Sequence, residues 1–237
     1  MMNQKNLKNI PKIIIALDFC KKHLAIDLIK KLDPEIYKVK IGYEMFIRFG
    51  VSFIEEIKKF NFDIFLDLKF HDIPSTVFKA VYSVAKLGIW MISIHGCGGY
   101  EMMISAKKAL SLLKLNPPFL VAVTSLTSFN IQNLSTIGVS SSIEEYVIKI
   151  SKLSQLAKLN GVICPGFMSK KIKNIFGKSF KTIIPGMRFI ADDHHDHNMV
   201  MYPDQIKNCD CDYIVIGRSI TQSKNPIKRL KEILKYI

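Results

Sequence analysis

From residue 12 onward, short apolar runs alternate with longer stretches whose apolar positions recur every three or four residues. Runs at 12–17, 37–41, 63–69, 90–94, 119–123, 161–164, 181–184 and 213–216 read as strands, being too short for helices and bounded by Gly, Pro, Asn or Asp. The amphipathic stretches predict helices ending near residue 32, over 44–59 and 74–87, ending near 113, over 142–159, and at the C terminus. Between 124 and 142 the chain is polar and serine-rich and reads as a loop. Residues 189–203 are the longest stretch without periodicity, as suits an active-site loop.

Strands alternating with helices imply parallel βα units. Eight such units in about 225 residues fit a single-domain α/β fold, the closed (β/α)8 TIM barrel, better than an open doubly wound sheet. No Gly-x-Gly-x-x-Gly follows the first strand, which argues against a dinucleotide-binding half. The expected organisation is a short polar leader over residues 1–11 and one catalytic barrel over 12–237.

The third run carries the chemistry. At a strand's two-residue period Ile64, Leu66 and Leu68 share one face, while Asp63, Phe65, Asp67 and Lys69 share the other. Asp72 follows three residues after Lys69, and Pro74 then favours the start of a helix. In isolation an Asp-x-Lys at a strand end is a solvated ion pair of little energetic weight. On a strand apolar enough to be buried, a charge must be paired or functional.

Composition narrows the class. With 237 residues, 49% of them hydrophobic, the chain can bury a large core, and no apolar run near its start is long enough for a secretory or membrane segment. A cytoplasmic protein is expected. Five cysteines, none at Cys-x-x-Cys spacing, suggest reduced and mostly buried thiols rather than a disulfide or a zinc site. The net charge of +14 comes almost wholly from lysines such as Lys21-Lys22, Lys58-Lys59 and Lys170-Lys171-x-Lys173, placed on polar helix faces. Without an arginine-rich arm or interleaved aromatic and basic residues, this is a lysine-biased surface and not a nucleic-acid groove.

In a (β/α)8 barrel, chemistry gathers at the C-terminal ends of the strands. Asp18, Lys40, Asp67, Lys69, His95, Thr127, Arg188 and Arg218 all fall there. Arg188 and Arg218 are two of four arginines and follow the seventh and eighth strands beside Gly186 and Gly217, a setting suited to a phosphate dianion. Lys40, Asp67, Lys69 and Asp72 form an alternating set able to stay ionised in a partly dry cavity, to stabilise a carbanion and to protonate it without a metal. A Schiff-base role for Lys69 is disfavoured, because flanking carboxylates raise a lysine's pKa.

The strings Ala16-Leu17-Asp18, Lys40-Ile41-Gly42, Phe65-Leu66-Asp67-Leu68-Lys69-Phe70-His71-Asp72-Ile73-Pro74, His95-Gly96-Cys97-Gly98-Gly99, Pro185-Gly186-Met187-Arg188 and Ile216-Gly217-Arg218 resemble the bacterial type of orotidine 5'-phosphate decarboxylase from about residue 12 to the end. The resemblance implies decarboxylation of orotidine 5'-monophosphate to uridine 5'-monophosphate, the last step of de novo UMP synthesis, with no cofactor and no metal. It implies that Lys69 protonates C6 of the pyrimidine, Asp67 lies beside the substrate carboxylate, Lys40 holds the charged network and the ribose, and Asp18 binds a ribose hydroxyl. Thr127 would bond the base amide, and Arg188, Gly217 and Arg218 the phosphate. The active site would be shared across a homodimer, with Asp72 and Thr76 supplied by the neighbouring subunit.

Two positions depart from the family's pattern. His197 falls where the phosphate-gripping loop has a glutamine, so it is expected to contact the substrate with a different reach. Pro165-Gly166 replaces a serine or alanine after the sixth strand. The loop's Asp192-Asp193-His194-His195-Asp196-His197 would suit a metal in isolation, but the reaction needs none. His71, between Lys69 and Asp72, reads equally as a supporting group or as one acting directly, and His95 as a packing or hydrogen-bonding histidine at a strand end. The nearest rival is a magnesium-dependent sugar-phosphate decarboxylase or synthase of the same barrel superfamily, which places a glutamate where this chain has Lys40. A lysine-rich barrel that binds nucleic acid would leave the strand-end charges unexplained.

Overall fold

The computed structural model describes residues 12–189 and 199–237. The expected leader at 1–11 and His197 with its neighbours lie outside them. Eight parallel strands, β1 (Lys12–Ala16), β2 (Tyr37–Ile41), β3 (Ile64–Phe70), β4 (Met91–His95), β5 (Phe119–Val123), β6 (Gly161–Ile163), β7 (Lys181–Ile184) and β8 (Tyr213–Ile216), pair in chain order. The β8–β1 pairing closes them into a barrel. Around it run α1 (Lys22–Ile29), α2 (Tyr43–Lys58), α3 (Pro74–Ala85), α4 (Gly99–Ser111), α5 (Ile131–Thr136), α6 (Ile143–Leu156), α7 (Ser169–Phe176), α8 (Ile206–Cys209), α9 (Arg218–Thr221) and α10 (Pro226–Ile233). No helix among the described residues is long and apolar enough to cross a membrane.

The period-two pattern divides each strand between two cores. Ile13, Ile15 and Leu17 of the first βα unit pack outward with Leu66, Ile92 and the inner faces of the helices. Ile14 and Ala16 point inward with Phe65, Met91, Val121 and Val215. The floor of the barrel is aromatic, with the Trp90 ring 5.2 Å from Tyr213 and 5.8 Å from Phe119. Lys38 lies over Trp90, 4.5 Å from its centroid, and pairs with Asp63. The inward face of β2 therefore carries a lysine at each end, Lys38 at the floor and Lys40 at the mouth, with the apolar filling between them.

Three expectations are corrected. The 124–142 loop contains α5, which starts at a reciprocal cap: Asn130 Oδ1 accepts from Asn133 N and Asn133 Oδ1 from Asn130 N, both at 2.9 Å. The final helix is two helices, because Asn225 caps a new start at Pro226 by accepting from Lys228 N at 3.0 Å. Lys173 is not a solvated surface lysine but 5% exposed. Its ammonium donates to Lys178 O at 3.0 Å and Phe180 O at 2.9 Å and pairs with Asp212, which satisfies the buried charge. At Gly166 a Cβ would meet Met201 Sδ at 2.8 Å, a contact that a shift of that flexible side chain relieves.

Candidate active site

The site begins with an irregularity in β3. Pairing with β4 shifts between Leu66 and Phe70, and Lys69 sits at φ 43°, a left-handed conformation that costs a non-glycine residue about 1 kcal/mol or more. Ser93 of β4 compensates. Its Oγ accepts from Lys69 N at 2.9 Å and donates to Asp67 Oδ1 at 2.8 Å. One buried hydroxyl thus holds both the backbone of the lysine and the side chain of the aspartate.

The other Asp67 oxygen, Oδ2, faces two ammonium groups, Lys69 Nζ at 2.9 Å and Lys40 Nζ at 3.5 Å. Lys40 lies in turn 3.7 Å from Asp18 Oδ1. Within this chain the alternating line is Asp18–Lys40–Asp67–Lys69. Asp18 adds a carboxylate beside Lys40, while Asp72, expected to serve a neighbouring subunit, is exposed in its own chain and accepts from its neighbour Ile73 N at 2.6 Å. Burial pushes the Asp67 carboxyl up, but the charges of Lys40 and Lys69 and the bonds from Lys69 and Ser93 outweigh it, so the pKa is held below the ordinary carboxylate value. Burial likewise opposes the Lys40 charge, and Asp67 and Asp18 outweigh it to hold the ammonium above the ordinary lysine value.

This line forms one wall of a cavity of about 210 Å³, whose other walls include Thr127, Arg188, Gly217 and Arg218. Eight of the expected contact residues therefore meet in one place. Arg188 is 3% exposed and donates to Met187 O at 3.0 Å, which fixes its guanidinium at the end of β7. Two backbone bonds add to the same rim: Arg188 N donates to Met201 O at 3.0 Å and Met199 N to Thr127 O at 3.0 Å. A larger cavity, about 570 Å³, lies between Gly166, Phe167 and residues 199–209, but none of the strand-end charges lines it. The chemistry belongs to the smaller one.

His95 does not join the site, although it ends β4. Its ring stacks on His71 at 5.4 Å, and burial together with the His71 and Lys69 charges pushes its pKa down. Thr76, like Asp72, is exposed and away from the cavity of its own chain.

Three further residues, which no motif marks, shape the site. Ser93 is one; its only signal was a lone polar residue in the apolar run of β4. Tyr43 donates to Leu68 O at 2.7 Å and places its ring 5.6 Å from Lys69 Nζ, within cation–π reach. Ser125 lines the cavity with a buried hydroxyl that has no partner among the described residues.

Fixed charges of both signs at the C-terminal mouth of a closed barrel are the arrangement of a (β/α)8-barrel enzyme. The model of the orotidine 5'-phosphate decarboxylase / HUMPS family matches residues 11–233, and the chain belongs to that family. It is 53% identical over 234 residues to the orotidine 5'-phosphate decarboxylase of Buchnera aphidicola subsp. Acyrthosiphon pisum (strain Tuc7), with 99% of each chain covered. It is 44% identical over 226 residues to that of Pseudoalteromonas translucida (strain TAC 125), covering 95% of this chain and 97% of the relative. The crystal structure of orotidine 5'-phosphate decarboxylase from Lactobacillus acidophilus superposes with a TM-score of 0.83 at 32% identity, over 96% of this chain and 99% of that one.

Proposed function

We propose that this chain catalyses the decarboxylation of orotidine 5'-monophosphate to uridine 5'-monophosphate and carbon dioxide, in UMP biosynthesis. The observation that carries the reading is the Asp18–Lys40–Asp67–Lys69 line at the mouth of a barrel of this family. Loss of carbon dioxide leaves the electron pair of the broken bond on C6. An ammonium already paired to a carboxylate needs little reorganisation to stabilise that charge, and Lys69 then transfers its proton to C6 and recovers one from solvent. Asp67 lies beside the substrate carboxylate and keeps Lys69 charged and aimed. Lys40 holds the network and, with Asp18, the ribose; Thr127 takes the base amide, and Arg188, Gly217 and Arg218 the phosphate. His197 contributes from the loop.

The enzyme works as a cytoplasmic homodimer in this reading. Asp72 and Thr76 are exposed on the β3–α3 turn with Ile73, which is 65% exposed, between them. A neighbouring subunit would cover this turn and receive both polar groups in its own cavity, where Asp72 extends the alternating charges beyond Lys69. A magnesium-dependent chemistry fits less well, since Asp18 and Asp67 already face the Lys40 ammonium, which would repel a dication.

The test is the ultraviolet absorbance of orotidine 5'-monophosphate incubated with purified protein, with and without excess chelator. Conversion to uridine 5'-monophosphate at the same rate in both is expected. Loss of conversion with chelator would overturn the metal-independent mechanism, and no conversion by intact protein would overturn the assignment.

A further inference from the structure

His71, His95 and Cys97 form a cluster of ligating side chains that the proposed reaction does not use. The fold brings them together from two elements: His71 follows β3, His95 ends β4, and Cys97 lies in the 3-10 turn Gly96–Gly98. Cys97 Sγ is 2.9 Å from His95 Nδ1 and 3.9 Å from His71 Nε2, and one ligand atom from each residue lies within 4.8 Å of the others. None of the three residues lines the substrate cavity.

We propose that these residues bind a borderline-soft divalent cation of the zinc class, separate from the decarboxylation chemistry. Tetrahedral bonds of about 2.3 Å to sulfur and 2.0–2.1 Å to nitrogen place ligand atoms roughly 3.3–3.6 Å apart. The two sulfur–nitrogen distances bracket that spacing, and side-chain shifts of up to about 1 Å would bring the ligand atoms to three corners. His71 and Cys97 are exposed in the single chain, which leaves a fourth corner for water or for a group of the neighbouring subunit that the proposed dimer brings over the β3–α3 turn. The His71 ring lies close to Gly98, where a Cβ would come within 3.1 Å of His71 Cδ2. Cys97 N lies 3.5 Å from His95 Nδ1, a long contact that metal binding at that nitrogen would replace.

A thiol and two imidazoles select zinc, cobalt or copper over magnesium and calcium, which prefer oxygen. On binding, the Cys97 thiol gives its proton to solvent, a sulfur–metal bond forms, and no electrons are transferred. The ion would clamp the start of the β3–α3 turn, which carries Asp72, to the end of β4.

Cobalt(II) is the probe, added to the reduced, metal-free full chain. The result expected is a thiolate-to-cobalt absorption saturating at one equivalent per chain. Cys97→Ser and Cys97→Ala abolish it, and His71→Ala and His95→Ala each weaken cobalt binding by at least about tenfold. His194→Ala/His195→Ala leaves it in place, which separates this site from the histidine-rich segment. A thermal melt of each variant checks that it folds. Absence of a thiolate band, unchanged affinity in both histidine variants, or loss of the band in Cys20→Ser instead would overturn the proposal.

Discussion

Ser93 Oγ stands 2.8 Å from Asp67 Oδ1 and at the same time accepts the backbone N–H of Lys69 at 2.9 Å. The hydroxyl joins the neighbouring strand to both charged residues of the Asp-x-Lys pair. It also meets the backbone donor that the β3 irregularity takes out of the regular ladder. Side chains beyond the reacting groups thus set the position of the ammonium.

Ser93→Ala tests this directly. It leaves a buried N–H without its acceptor and removes one bond from Asp67, so a stability loss of about 1–3 kcal/mol is expected from urea denaturation. Turnover should fall more than substrate affinity, because the lysine is misplaced and the phosphate grip is untouched. Unchanged kcat in a destabilised protein would assign Ser93 to folding alone.

The charge line also makes stability depend on pH. Asp67 is held below its ordinary 3.8, so its contribution is complete above that value and is lost as pH falls through the depressed folded pKa. Lys40 is held above its ordinary 10.5, so its contribution is complete below that value and is lost as pH rises through the folded pKa. The urea midpoint of the unmutated protein should exceed that of Asp67→Asn by a constant amount between about pH 5 and 9, and the gap should close in acid below about pH 4. A gap that widens in acid would contradict the assigned sign.

A shared active site makes inactive variants complementary. Asp72→Ala and Lys69→Ala, each inactive alone, should regain a fraction of the unmutated activity when mixed and allowed to exchange subunits. In such a heterodimer one cavity has lost both residues and the other neither. No recovery, with exchange proven by tagged subunits, would place Asp72 outside the partner's cavity.

Most of the barrel was legible because its strands report two faces at once. Residues 37–41, 119–123, 181–184 and 213–216 were read to the residue, since each apolar run is bounded by a turn former or a charge. The positions of Asp18, Lys40, Asp67 and Lys69 followed from the barrel geometry alone. What stayed hidden depends on contacts between distant residues. A lone polar residue in β4 does not say that Ser93 comes within 2.9 Å of the Lys69 backbone 24 residues away, and nothing local marks the burial of Lys173 against Asp212. The stacking of His71 on His95 arises from adjacent strand ends that the sequence separates. The helix at Ile131–Thr136 had a signal, the two asparagines of its cap, which a polar, serine-rich background obscured.

The central claim is that the Lys69 ammonium is the group that protonates C6, and the direct measurement is single-turnover decarboxylation by Lys69→Ala alongside a titration with uridine 5'-monophosphate. A general acid contributes roughly 10²–10⁴-fold, so a rate loss of at least about 100-fold with product affinity largely retained is the predicted result. A rate within tenfold of the unmutated protein, with the same product affinity, would contradict it.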